Sequence, residues 1–400
     1  MPAIRLTPRA ASPRATLRVN PWLGPVSAVL GLAAMTAGLA LDPVRTWSNV
    51  LIDAFLVLSI PLGGLVFTAI HHLSGASWSA GMRRVAEAMM AVLPMGALMM
   101  LAVFIGRGSL FAWASNRSHA GSELGTPQTS PYFAAPNVFL RALVFLSVWA
   151  LLAFVIRQAS NGEDSSPDPI HRQRSIQHSA AFIVVFAVSF PLAVVDWLLS
   201  IDATWTSTIF SVYVLSGLLV EAFAVVTLAV VLLHQGGHLR GIVTIGHLHD
   251  LGKLLFAFTT FWAYIWLSQY LLVWYANLPD EIGHYQLRSG PAWMPWFLGN
   301  VVINWMIPFI VLLPRATKRD PATLKWVAIL LLLGRWVDVY LLVAPQTMRT
   351  PALGAIELSL GIACGGLTWC VVAGALAGRP LFVRHDPHLD ESVRQAALPC

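Results

Sequence analysis

Ten runs of about 20 mostly apolar residues recur along this chain, at 22–41, 48–71, 85–106, 136–157, 178–201, 208–234, 251–276, 293–313, 322–344 and 352–376. Each is long enough to cross the hydrocarbon core of a bilayer as a helix. In that core every backbone N–H and C=O needs an internal partner, so runs of this kind fold as helices. The composition agrees: 57% of the 400 residues are hydrophobic and 11% are charged, outside the range of soluble domains. The longest connection, 107–135, is too short and too mixed to be a soluble domain. The expectation is an all-α polytopic membrane protein with a basic tail at 1–21, a ten-helix membrane domain at 22–376 and a second tail at 377–400.

The basic residues orient it. Of the 25 Lys and Arg, 17 fall on the side that carries both tails and five on the other; Arg141, Lys253 and Arg335 lie inside spans. Positive charge marks the cytoplasmic side, so both termini are expected in the cytoplasm, which requires an even number of spans. The net charge of +6 is a topology signal and not a nucleic-acid footprint, because no basic surface is clustered. Gly38-Leu39-Ala40 resembles a signal-peptide cleavage site. Removing the first span would leave nine and break the charge balance, so the span is kept.

Several polar residues fall inside the spans, where their cost makes them candidates for function. In the seventh span Lys253, Thr260, Tyr264, Ser268 and Tyr275 fall within roughly 80° of one another on a helix. This polar stripe is expected to face protein or water, with His249, Asp250 and Lys253 at its cytoplasmic mouth. Glu221 lies near mid-depth in the sixth span with no neighbouring base in sequence. Two readings compete for it, a proton-relay carboxyl and a permanently protonated group bonded across helices. Asp53, Arg141, Asp196, Arg335, Asp338 and Glu357 fall in the outer half of the bundle, and Arg335 and Asp338 are spaced to pair on one helical face. Ser189, Asp196 and Ser200 share a face just past Pro191, where a bend is expected to admit water. His71, His72, His234, His238, His247 and His249 gather at the cytoplasmic side. There a solvated loop and a proton-collecting mouth are both open readings, and a haem between His71 and His234 is disfavoured by their interfacial position. Gly361-x-x-x-Gly365 allows close helix packing.

Cys364, Cys370 and Cys400 form no C-x-x-C, no C-x-x-C-H and no zinc spacing. No Gly-rich phosphate loop, serine-hydrolase elbow or H-E-x-x-H occurs. This chain is therefore expected to bind no cofactor of its own. Any electrons would be carried by other chains or by a diffusible quinone.

Three stretches together carry a resemblance: Asp196-Trp-Leu-Leu-Ser-Ile-Asp-x-x-Trp-x-Ser-Thr-Ile-Phe-Ser-Val-Tyr at 196–213; His249 to Ile282; and Gly299-Asn300 through Asn304 and Pro308 to Pro314-Arg-x-x-Lys-Arg, followed by Arg335-Trp-x-Asp-x-Tyr. They resemble the second large membrane subunit (ActF-type) of alternative complex III, a bacterial quinol:cytochrome c oxidoreductase. That subunit belongs to the NrfD-like superfamily of polysulfide-reductase membrane anchors. The resemblance spans roughly residues 50 to 350. It implies two four-helix bundles flanked by two further helices, with a sister NrfD-like subunit, a multihaem cytochrome c and an iron–sulfur protein as partners. It also implies that the sister subunit holds the quinol site, while this subunit type offers a proton half-channel. Asp196, Ser200, Trp205, Ser207 and Thr208 match the first motif, whose usual histidine is replaced here by Thr204. The resulting expectation is a catalytically silent, proton-handling subunit. Its cytoplasmic half-channel would be Lys253, Thr260, Tyr264 and Ser268 with Glu221 beside them, and Asp196, Arg335, Asp338 and Glu357 would belong to an outer cluster. Two alternatives are an anchor that itself binds and oxidises quinol, using Asp53, Asp196 or Asp202, and an unrelated secondary transporter.

Overall fold

The computed structural model describes residues 20–114, 131–166, 168–202, 205–239, 241–377, 380–382 and 391–392. Nearly all of the tail 1–21, Arg117, Thr204, Arg240 and most of the tail after 377 lie outside the described residues. Among the described residues the fold is all-α, and ten helical segments are long and apolar enough to cross a membrane, one for each expected span. In chain order the helices are α1 (Leu23–Leu41), α2 (Pro43–Ser74), and a third span broken into α3 (Arg83–Met89), α4 (Leu93–Val103) and α5 (Arg107–Leu110). Then come α6 (Ala135–Ser165), α7 (Pro169–Trp197), α8 (Phe210–Gln235) and α9 (Ile245–Ala276). The short α10 (Pro279–Arg288) precedes a divided eighth span, α11 (Met294–Val301) and α12 (Ile307–Leu312), joined by a π turn at Val302–Met306. The last two helices are α13 (Pro321–Thr347) and α14 (Ala355–Ala377).

Three helices begin on the same pair of residues. Asp42-Pro43, Asp168-Pro169 and Asp320-Pro321 open α2, α7 and α13, and each aspartate accepts a backbone N–H from the first turn. Proline at the first helical position loses no hydrogen bond, and the carboxylate satisfies a donor that would otherwise be orphaned. In this way α2 and α7 begin several residues before their apolar runs, at Pro43 and Pro169.

Two groups of four helices are visible. One holds α2, the broken third span, α6 and α7; the other holds α8, α9, α11–α12 and α13. Between them lies α2, the most buried of the spans, which touches both α8 and α13. It approaches α4 so closely that a Cβ on Gly96 would meet the Leu58 backbone at 2.8 Å. The remaining helices, α1 and α14, pack along each other and against α2. The end that carries the α2–α3 and α8–α9 connections is called inner below, and the opposite end outer, following the distribution of basic residues.

Candidate functional site

The polar centre of the molecule is Asp338 on α13. Its carboxylate collects donors from four helices: Arg335 Nη1 and the Tyr213 hydroxyl, Asn300 Nδ2 at 3.0 Å and Trp262 Nε1 at 3.2 Å. Arg335 and Asp338 are each 1% exposed at the side chain, so the ion pair that the spacing predicts forms inside the bundle. The π turn contributes directly. Asn304, within it, donates to Asn300 Oδ1 at 2.7 Å and to the Gly334 carbonyl at 2.9 Å, which holds Asn300 toward Asp338. Local π turns mark places where a helix yields regular packing to a site. Arg335 lies flat over Gly217 of α8, where a Cβ would collide with its guanidinium.

Glu221 sits one helical turn further along α8 and feels the charge of Arg335. Its Oε2 is 2.5 Å from Ser59 Oγ of α2, and the same hydroxyl is 2.9 Å from the Leu56 carbonyl. Ser59 has one proton and two acceptors in reach. With Glu221 ionised, the hydroxyl donates to the carboxylate. With Glu221 protonated, the acid donates to Ser59 and the hydroxyl turns to the Leu56 carbonyl. The site therefore satisfies both protonation states without moving a helix.

The expected outer cluster is divided into separate sites. Asp196 is held bidentately by Arg141 at 2.8 and 2.9 Å, and Arg141 stacks on Tyr132. Glu357 is held bidentately by Arg45, both contacts at 2.6 Å, and also receives Asn49 Nδ2. Only Asp338 shares its surroundings with Arg335. The face past Pro191 is filled by side chains rather than opened to water: Ser189 takes the Trp149 indole N–H and Ser200 takes that of Trp113.

The stripe on α9 points the other way. Tyr264 is 66% and Tyr275 87% exposed, Lys253 is exposed, and Thr260 and Ser268 are half-buried. The buried face of α9 is the seam Leu255, Thr259, Trp262, Ile265, Gln269 and Val273. Spacing fixes which residues share a face but not where that face looks, and here the apolar seam takes the interior. Glu221 turns toward α2 and α13 and hydrogen-bonds none of the stripe residues. At the inner end Lys253 pairs with Asp250 at 2.6 Å on the surface, and His249 is half-buried beside them.

Two of the gathered histidines depart from the solvated-loop reading. His72 is buried against Ser179. His247 is fully buried, closes a capping box with Thr244 and reaches Ser392 at 2.9 Å. Both are consumed by packing between segments. Beneath them lies a network whose pairs within α3 were legible from spacing. On α3, Arg83 and Arg84 stand four and three residues before Glu87 and pair with it, and they also join Glu163 and Asp164 of α6.

At the outer surface Asp202 accepts His284 Nδ1 at 3.0 Å and Gln346 Nε2 at 2.6 Å, and the His284 ring stacks on Trp205 at 3.7 Å. Pro345 has no N–H to give the Leu341 carbonyl; Arg288 Nε donates to that carbonyl instead, at 2.9 Å. Burial holds His284 down at about 3, so it is neutral in the folded protein and a better base, at about 6.5, when unfolded. The unfolded chain therefore takes up the proton first. This contribution is fully present above about pH 6.5 and is lost as pH falls toward about 3. At pH 5 the loss is about 2 kcal/mol. Thermal melts of the detergent-solubilised protein are expected to drop between pH 7 and pH 5, with a flatter slope for His284→Gln. An equal slope in the two proteins would contradict this.

No protein-family model and no curated protein matches the chain in sequence.

Proposed function

We propose that this chain is a membrane subunit without catalytic activity of its own in a bacterial quinol:cytochrome c oxidoreductase of the alternative complex III type, and that it handles protons through Glu221. The observation that carries the proton reading is the Ser59 switch: a carboxyl at mid-depth that stays hydrogen-bonded whether or not it holds a proton. From there Arg335 and Asp338 continue toward the outer end, through Tyr213 and Asn300. Arg335 Nε and Nη2 take no partner among the described residues, two donors that a water between Glu221 and Asp338 would satisfy. The path is thus Glu221, Arg335 and Asp338. The exposed stripe of Lys253, Thr260, Tyr264 and Ser268 is not part of it. Membership of the complex is supported by the three resembling stretches and by the two four-helix groups flanked by α1 and α14. The partners are the sister membrane subunit, a multihaem cytochrome c and an iron–sulfur protein.

The test uses an affinity-tagged chain in its native host. A haem-containing partner is expected to co-purify, and a preparation without one would sink the assignment to this complex. Reconstituted in liposomes with a pH-sensitive dye, the complex is expected to lose proton translocation with Glu221→Gln and to keep it with Tyr264→Phe. Unchanged translocation in Glu221→Gln would remove Glu221 from the path.

A further inference from the structure

At the inner end, α9 meets the turn between α12 and α13. A Cβ on Gly252 would lie 2.9 Å from Lys318 Cβ and 3.1 Å from its Cα, so the turn rests directly on the helix. The contact brings Lys253 of α9 together with Arg315, Lys318 and Arg319, and His249 feels the charges of Lys253, Arg319 and Arg315. The sequence alone shows no such cluster, because it forms only where two distant segments touch. Positive-inside bias explains why cations lie at this end. It does not explain why carboxylates are so few among them. On α3 and α6, by contrast, Arg83 and Arg84 face Glu87, Glu163 and Asp164.

The two acids in these segments are both engaged. Asp250 pairs with Lys253 at 2.6 Å. Asp320 caps α13, accepting the Ala322 and Thr323 amides and the Thr323 hydroxyl. Lys318 Nζ donates to the Leu312 and Leu313 carbonyls at 2.7 and 3.1 Å, which ties the turn to the end of α12 and leaves a third N–H. Arg319 Nε is buried and takes no partner among the described residues, a state seldom left uncompensated in a folded protein. Directly below the cations the surface turns apolar. Lys318 Nζ stands 5.3 Å over the Phe256 ring, and Phe256 stacks on Phe309 at 5.0 Å. On α12, Ile310 is 65% exposed, and Leu313 just past its end is 59% exposed, so bare apolar surface reaches the level of the cations. A soluble anion would match the charges and leave that surface unmatched. A molecule with a negative, oxygen-rich head and alkyl chains beneath it matches both.

We propose that the junction of α9 with the α12–α13 turn binds an anionic phospholipid of the inner leaflet, its phosphate held by Arg315, Lys318 and Arg319 and its acyl chains lying on Ile310, Leu313 and the Phe256–Phe309 stack. Basic clusters at the cytoplasmic end of membrane helices select anionic head groups in this way. A zwitterionic head would set its own ammonium among these cations and is disfavoured. The inference rests neither on proton handling nor on membership of a complex, and its failure would leave the Glu221 experiment standing.

The probe is dioleoyl phosphatidylglycerol, titrated into the delipidated full-length chain in neutral detergent and followed by native mass spectrometry, with dioleoyl phosphatidylcholine as the lipid of equal tails. Phosphatidylglycerol is expected to bind the tighter of the two, by roughly tenfold or more. Arg315→Gln together with Arg319→Gln should weaken it about thirtyfold, and Arg315→Gln alone, on an exposed side chain, about fivefold. Arg107→Gln with Arg349→Gln removes the same charge from the outer end and should leave binding unchanged. Equal affinity for the two lipids would overturn the proposal and reduce this surface to an ordinary annular contact. Unchanged phosphatidylglycerol binding in both inner variants would overturn it as well. Displacement of the lipid by millimolar inorganic phosphate would replace it with a soluble-anion site.

Discussion

Arg335→Met is expected to keep the chain from accumulating in the membrane, and adding Asp338→Asn to restore most of it. Both side chains are 1% exposed, so removing the arginine leaves an uncompensated carboxylate in the middle of the bundle. Breaking a buried pair from one side costs about 3–5 kcal/mol, a large part of the stability of an ordinary fold. The remaining donors to Asp338 are a phenol, an amide and an indole, all neutral. They can hydrogen-bond an asparagine carbonyl as well as a carboxylate, which is why the double variant should recover. Membrane-fraction immunoblots and size-exclusion profiles give the readout. A single variant as abundant and as monodisperse as the parent would show that the pair is not the keystone described. The double variant also separates fold from function. If it folds but the reconstituted complex no longer translocates protons, Arg335 and Asp338 serve the path as well as the packing.

The contrast between what could and could not be read from the residues follows from the range of each interaction. The ten spans correspond one to one with membrane-length helical segments, two of them broken, because a 20-residue apolar run is decided locally, by backbone satisfaction in hydrocarbon. The Arg335–Asp338 pair was legible because its spacing is helical. The other donors to Asp338 come from α8, α9 and α11, and no sequence pattern brings Tyr213, Trp262 and Asn300 to one carboxylate. The same limit explains the stripe on α9. Its five residues do share a face, but the opposite face carries Trp262 and a better apolar seam, so Tyr264 and Tyr275 turn outward. Glu221 was recognised as a mid-depth acid, yet its partner Ser59 lies 162 residues away. The role of Gly361 and Gly365 could not be read either, since a glycine pair signals either close approach or room: a Cβ on Gly365 would meet nothing within 4 Å, while α1 touches Ala363 and Gly366 instead.

Glu87→Ala is expected to have the second-largest effect, and its size follows from the burial of the two arginines that lose one of their partners. Glu87 is fully buried. Its Oε1 receives Ser160 Oγ at 2.6 Å and lies 3.3 Å from Arg83 Nε, and its Oε2 pairs with Arg84. The Arg84 side chain is only 2% exposed and that of Arg83 6%, so neither can swing into water when the carboxylate goes. Arg83 keeps Glu163 and Arg84 keeps Asp164, so a cost of about 3 kcal/mol, the low end for a buried pair broken from one side, is expected, concentrated where α3 meets α6, because α3 is only seven residues long and gives way to a 3₁₀ turn at Met90–Val92. Glu357→Ala supplies the comparison. It also deserts an arginine, but the Arg45 side chain is 24% exposed and can turn to solvent, so about 1 kcal/mol is expected. Hydrogen exchange of the segment 76–92 should rise sharply in Glu87→Ala and hardly at all in Glu357→Ala. Equal effects would mean that burial of the cation does not set the cost. In that case the inner network would be only an ion-pair array with no grip on the third span. Glu87→Gln should fall between the two, because an amide oxygen still receives the Ser160 hydroxyl and the arginines while the opposing charge is gone.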